Sequence, residues 1–548
     1  MAFAEIVLLL IAACIGFAVL ARRLGVPYAV ILVLGGMALA LVPDVPVVRL
    51  DPEFALAFFL PPLLQASAFR TDWRAFRSNL RSILLLAVGA VIFTAFCIGA
   101  VARWLVPEMS WATALALGAI VAPPDAVAAA AVLQRLRLPR RIVSVLEGES
   151  LINDASALVL YKLAVGAAMA GGTLAAGGGV LTFLALAAGG IAIGWAVAQV
   201  TLFVLHRLDD VMLETTTGFL AAYAAYLAGE AVGVSGVLAV VTAGLLLGQA
   251  QHTLTSSQAR LAGTAVWGFV EFLLNSLVFV LIGLQLNQVL ARIGDRGVAE
   301  LAWLAGAISA TLILSRFLWV YPASWLPRRI TAVQDNALPP AGREATIVAW
   351  AGMRGVVSLA TALALPVDFP QRDLIVFLAF CAILATLVLQ GTTLEWLIKA
   401  LKVALPHHDG GIDPAEAEAR GAMAQAALAE VESRLDDPLE GAIAADMVAE
   451  FRDRAGHLHR TAANRGAAAA ERAARRRIRL AALEASRRSL LFRHATGALD
   501  SEGLARLERG LDLEEQRIRQ VLGDERTAAQ KAADAMRRRS LLQLSGHA

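Results

Sequence analysis

The chain of 548 residues is 58% hydrophobic and only 17% charged, with a mean hydropathy of +0.65. Soluble domains carry roughly 25% charged residues, so a soluble globule, a disordered chain and a nucleic-acid binder are excluded, and a net charge of +3 is too small to imply an anionic partner. The charge is also uneven: about 45 of the charged residues follow Gly410, which divides a membrane body, 1–405, from a charged helical tail of cytosolic character, 406–548.

A membrane helix needs about 20 mostly apolar residues. Thirteen stretches qualify as candidates: 3–20, 26–42, 52–69, 80–105, 111–133, 142–169, 180–205, 213–228, 235–249, 266–290, 301–321, 345–365 and 374–400. The eighth and ninth are short, split only by 229–234. The first is not a signal peptide, because its positive charges, Arg22 and Arg23, follow the apolar run instead of preceding it. With the N-terminus outside and thirteen spans, about fifteen loop arginines fall on the cytoplasmic side and five outside. That asymmetry fits the positive-inside rule and places the tail in the cytoplasm. Cys14, Cys97 and Cys381 all lie in apolar runs and offer neither a disulfide framework nor metal spacing.

Inside the spans, each ionisable residue costs about 2.5–3.5 kcal/mol at a helix centre and is read first as functional. In the fifth span, Pro123 and Pro124 precede Asp125. Two prolines remove two backbone donors, so the helix breaks there, and broken helices expose the free backbone groups at which transporters bind ions. The plainer alternative is a proline kink. In the sixth span, Ser150, Asn153, Asp154 and Ala157 share one face by i, i+3, i+4 spacing. That face offers a hydroxyl, an amide and a carboxylate, oxygen ligands suited to a hard cation or a proton. Glu149 is close to the same face, and a salt bridge to a buried arginine is its favoured role. Arg316 in the eleventh span and Arg354 in the Gly-rich stretch of the twelfth each need an anionic partner, with Glu149, Asp125 and Asp154 as candidates. Lys162 is expected to snorkel. Glu271 is expected at the interface, and Glu214 and Glu230 near span ends within reach of water. In the tail, 467–493 and Ser501–Leu522 read as charged helices. His407, His408 and Asp409 lack a third ligand at zinc spacing and read as a solvated linker. There is no nucleophile–base pair, phosphate loop or cofactor motif, so neither an enzyme nor a cofactor is expected.

Four stretches carry a family likeness: Phe59-Leu60-Pro61-Pro62-Leu63-Leu64; Ala122-Pro123-Pro124-Asp125; Glu147-Gly148-Glu149-Ser150-Leu151-Ile152-Asn153-Asp154; and Gly352-Met353-Arg354-Gly355. With them, residues 6–402 resemble the monovalent cation:proton antiporters that include bacterial NhaP and the animal sodium/proton exchangers. The resemblance implies an all-α membrane protein of thirteen helices. It implies an inverted repeat of spans one to six against eight to thirteen, with the fifth and twelfth crossing as broken helices, and a homodimer in the cytoplasmic membrane. The substrates it implies are protons and sodium, with potassium or lithium as alternatives. By similarity Asp154 is the carboxylate that takes either a proton or a cation. Asp125 and Ser150 are ligands or ligand positioners, Asn153 is a structural polar partner, and Glu149 with Arg316 is a buried ion pair. Asn153-Asp154 resembles the electroneutral branch. Two departures stand out. Pro124 replaces a threonine, leaving only a backbone carbonyl as ligand, and Gln65-Ala66 follow the Phe-Leu-Pro-Pro-Leu-Leu run where an acidic residue is common. A potassium/proton antiporter or a tail-gated cation channel is the alternative reading.

Overall fold

The structure, a computed structural model, describes the backbone outside residues 1, 43–51, 126–128, 130–135, 137, 172–175, 255, 286–288, 291–296, 331–341, 404–413, 438, 464–466, 497–500 and 523–548. The chain divides into two compact units, Met1–Pro406 and His407–Ala548.

In the first unit the described helices are α1 (Ala2–Leu24), α2 (Tyr28–Ala40), α3 (Pro52–Arg70), the short α4 (Trp73–Ser78), α5 (Leu80–Leu105), α6 (Trp111–Val121) and α7 (Arg140–Met169). They continue with α8 (Ala176–Leu205), α9 (Val211–Val232), α10 (Gly236–Leu254), α11 (Ser257–Leu284) and α12 (Val298–Ile330). The last are α13 (Arg343–Trp350), α14 (Val356–Leu363) and α15 (Arg372–Ala400). A described helix underlies each apolar stretch picked out in the sequence. Seven are long and apolar enough to cross a membrane by length and composition alone. The eighth and ninth stretches separate at Gly233, whose φ of 76° supplies the left-handed cap that ends α9.

The outward faces of these helices explain the composition. Leu181, Val200 and Phe203 on α8, and Leu314 and Leu318 on α12, are more than 55% exposed. Such surface is unfavourable in water and at home among lipid tails. Without a hydrophobic drive between helices, association rests on close backbone approach. α2 and α11 pack as the most extensive pair of the unit. Gly36 and Gly283 make this possible, since a Cβ on either would overlap backbone of the other helix, at Val280 O and Val33 O.

Two helices change register through a π-helical turn: α5 at Leu85–Ala90 and α15 at Thr386–Gln390. Such turns release backbone and side-chain groups for tertiary use. Trp319 Nε1 on α12 donates to Leu85 O (2.9 Å), fixing α12 against the turn in α5.

The second unit contains α16 (Pro414–Ser433), α17 (Gly441–Ala463), α18 (Ala467–Ala495) and α19 (Ser501–Leu522). Asp437 closes the turn between α16 and α17 by accepting from Leu439 N (2.8 Å) and Glu440 N (2.9 Å). Across α18 and α19, Arg487 reaches Asp512 (2.6 Å) and Glu515 (3.0 Å). His407, His408 and Asp409 lie outside the described residues.

Candidate functional site

The site is built where two helices stop short. α6 ends at Val121, and Ala122 N still donates to Gly118 O (2.9 Å). Pro123 and Pro124 then have no N–H to give, so the carbonyls of Ala119 and Ile120 lose their usual i+4 donors. Asp125 N, which in a continuous helix would donate to Val121 O, instead donates to Met353 O (2.7 Å). Met353 belongs to the second interruption, 351–355, between α13 and α14. The two breaks therefore touch backbone to backbone.

Arg354 completes the exchange. Its Nε donates to the vacated Val121 O (2.6 Å) and its Nη1 to Gly352 O (2.6 Å). Its backbone N–H donates to Thr386 Oγ1 (3.1 Å), in the π-helical turn of α15. A cation at the C-terminal end of a half-helix meets the negative pole of its dipole. On the other side, Asp125 lies against Gly355, the residue that opens α14, so closely that a Cβ there would overlap Asp125 Oδ2. A carboxylate at a helix N-terminus meets the positive pole. Each break thus presents one charge to the other's half-helix.

Glu149 and Arg316 form a bidentate pair, Nη1–Oε1 2.6 Å and Nη2–Oε2 2.8 Å, with both residues under 5% exposed. Arg316 also donates from Nε (3.2 Å) and Nη2 (3.1 Å) to Val348 O near the end of α13. The pair therefore ties α7, α12 and α13 together beside the second break. Gly352 packs against this guanidinium, leaving no room for a Cβ.

On α7, Asn153 is fully buried and its Nδ2 donates to Pro124 O (2.7 Å). The one carbonyl that the proline offers in place of a threonine hydroxyl thus already holds one donor. The orientation leaves Asn153 Oδ1 buried without a hydrogen-bond partner, an acceptor that normally demands one. Asp154, next to it, is 8% exposed. Both buried arginines are committed elsewhere, Arg316 to Glu149 and Arg354 to carbonyls. Among the described residues no cation or hydrogen-bond donor pairs with the Asp154 carboxylate. Ser150 lies on the same helix, half-buried, one turn earlier.

The sequence reading placed most of these groups, and the structure adds four things. Arg354 serves carbonyls, not a carboxylate. Lys162 is held by Glu230 (3.1 Å) on a partly exposed flank. Glu271 is not merely interfacial, for it pairs with Arg70 through two contacts of 2.5 Å. Glu214 does not sit in water: it is 8% exposed. Thr386 and Trp319 escaped notice because an isolated polar group in an apolar span looks like any other until its partner is known.

A bundle of lipid-facing helices, two of which break and finish each other around buried carboxylates, defines a membrane-embedded secondary transporter. The comparisons make this particular. The family model described as "Sodium/hydrogen exchanger, transmembrane" matches residues 6–400. The chain belongs to that family of multi-pass membrane proteins. An uncharacterized Na(+)/H(+) exchanger of Mycobacterium bovis is 33% identical over 531 residues, covering 93% of this chain and 95% of its own length. The Na(+)/H(+) antiporter ApNhaP of Aphanothece halophytica is 34% identical over 377 residues, covering 69% and 70%. Among solved structures, the sodium proton antiporter MjNhaP1 from Methanocaldococcus jannaschii shares the fold with a TM-score of 0.57 at 19% identity, covering 73% of this chain and 99% of its own.

Proposed function

We propose that the protein exchanges protons for a monovalent cation, sodium first, one for one at Asp154. The observation that carries this is the uncompensated carboxylate. A bare buried carboxylate costs several kcal/mol, and both neighbouring arginines are already engaged, so a proton or a cation must neutralise it. Competition for one group couples the two fluxes. The loaded site crosses and the empty, charged site does not. Asp125 and Ser150 supply further oxygens, and Asn153 Oδ1 faces the same requirement for a donor or a cation. Arg354 and the Glu149–Arg316 pair hold the frame. In this reading thirteen helices cross the cytoplasmic membrane with the N-terminus outside, the 406–548 tail is cytoplasmic, and protomers pair as homodimers. The chain is a transporter and not an enzyme.

The test is proton flux in proteoliposomes driven by lithium, sodium or potassium gradients, with the membrane potential clamped. Asp154→Asn is expected to abolish exchange while the protein still reaches the membrane. Cation-driven proton flux in that variant overturns the assignment. Current that follows the cation gradient without proton movement favours a channel, and a potassium response without a sodium response moves the substrate to potassium.

A further inference from the structure

A cavity lies away from Asp154. It encloses about 210 Å³ between α3, α8, α9, α10 and α11. The helices end or begin beside it. Arg70 is the last residue of α3 and Leu205 the last of α8, while Glu214 falls in the first turn of α9 and Ala259 in that of α11. The cavity therefore sits at one end of the bundle.

Its lining is amphipathic. Phe69, Leu205 and Trp267 form apolar wall. Between them lie two acceptors, one of them with no donor among the described residues. Gln65 is completely buried; its Nε2 donates to Gly218 O (2.5 Å), and its Oε1 has no partner. Glu214 is 8% exposed, and among the described residues no cation pairs with its carboxylate. Arg70 also lines the cavity, with one contact from each terminal nitrogen to Glu271, and a guanidinium carries five donors. The lining thus combines a carboxylate with a cation that has donors to spare. Arg260 also lines the space and adds positive charge on the same surface.

We propose that this cavity binds the headgroup of a zwitterionic phospholipid with a primary ammonium, an aminophospholipid. The ammonium donates to Glu214, the phosphate meets the arginine side, and the acyl chains continue along the apolar wall. The space admits a polar group of several heavy atoms such as phosphoethanolamine. A quaternary ammonium has no N–H to donate to Glu214, and an anionic headgroup meets Glu214 with the wrong sign. The proposal does not depend on the exchange reading.

The experiment is native mass spectrometry of the purified full chain with phosphatidylethanolamine, phosphatidylcholine or phosphatidylglycerol of identical acyl chains. The expected result is at least tenfold preference for phosphatidylethanolamine, lost in Glu214→Gln. Gly263→Leu serves as a second variant. A Cβ at Gly263 meets no atom within 4 Å, so the added side chain fills the cavity at little cost to folding, and it is expected to displace the lipid. Equal retention of the three lipids by the unmodified chain, or a preference that survives both variants, overturns the proposal.

Discussion

Substituting Glu149→Gln keeps the size of the side chain and removes its charge. Arg316, 3% exposed, then holds a full positive charge with only neutral acceptors, the new amide oxygen and Val348 O, the latter at 3.1 and 3.2 Å. Removing one partner of a buried pair costs about 3–5 kcal/mol, which at 1.4 kcal/mol per decade is roughly two to three and a half orders of magnitude in the folded population. Removing both partners is different. Glu149→Gln with Arg316→Met leaves no stranded charge, and well-packed neutral replacements of buried pairs are neutral or stabilising by about 1–4 kcal/mol. The double variant is therefore expected to regain most of the midpoint lost by the single one. The assay is thermal unfolding of the detergent-solubilised protein for the four members of the cycle. An unchanged midpoint in Glu149→Gln, or a double variant as damaged as the sum of the two singles, refutes the argument. The pair would then contribute by packing alone.

Arg354→Met removes two charge-assisted bonds to Val121 O and Gly352 O, each about 1.5–3 kcal/mol. A drop of several degrees in the unfolding midpoint and loss of sodium-dependent proton flux are expected, with partial recovery in Arg354→Lys; wild-type flux in the methionine variant contradicts the capping role. Gly355→Ala pushes Asp125 from its seat, an overpacking of about 1–3 kcal/mol. The apparent sodium affinity should weaken by roughly 5- to 150-fold with less effect on maximal flux, which a concentration series of exchange reads directly. In the tail, the N–H groups of Glu440 and Leu439 hold Asp437 below the ordinary carboxylate value. Its contribution to the α16–α17 turn is complete above the unfolded value near 3.8 and is lost as pH falls through the lower folded one. The Asp437 side-chain carbon shift in NMR should titrate below that of an unstructured aspartate, and the difference should shrink in a chain carrying Pro in place of Glu440, which removes one of the two donors.

Much of the framework was legible because lipid imposes a simple length and polarity rule. An apolar run of membrane length has few alternatives to a helix, and Pro123-Pro124 cannot continue one. The expense of burying charge also singled out Asp125, Glu149, Asp154, Arg316 and Arg354. What the rule does not give is the partner. Arg354 was expected to seek a carboxylate, yet the carbonyls freed by the opposite break were closer to its need. Glu214, three residues from the start of α9, seemed within reach of water until α3, α8, α10 and α11 closed around it. Trp319 met Leu85 only because α5 loosens into a π-helical turn, a deviation that its sequence of ordinary apolar residues does not announce.

The bond from Arg354 to Val121 O spans 233 residues of chain, and that distance has a meaning for biogenesis. A ribosome adds about 5–20 residues per second, so roughly 10 to 50 s separate the emergence of α6 from that of the side chain that caps it. During this interval the first half of the protein is in the membrane with its broken helix unfinished. Chains that stop before α13 have no means of completing it. Until the Gly352–Gly355 segment arrives, the carbonyl of Val121 lacks the donor that caps it in the finished chain.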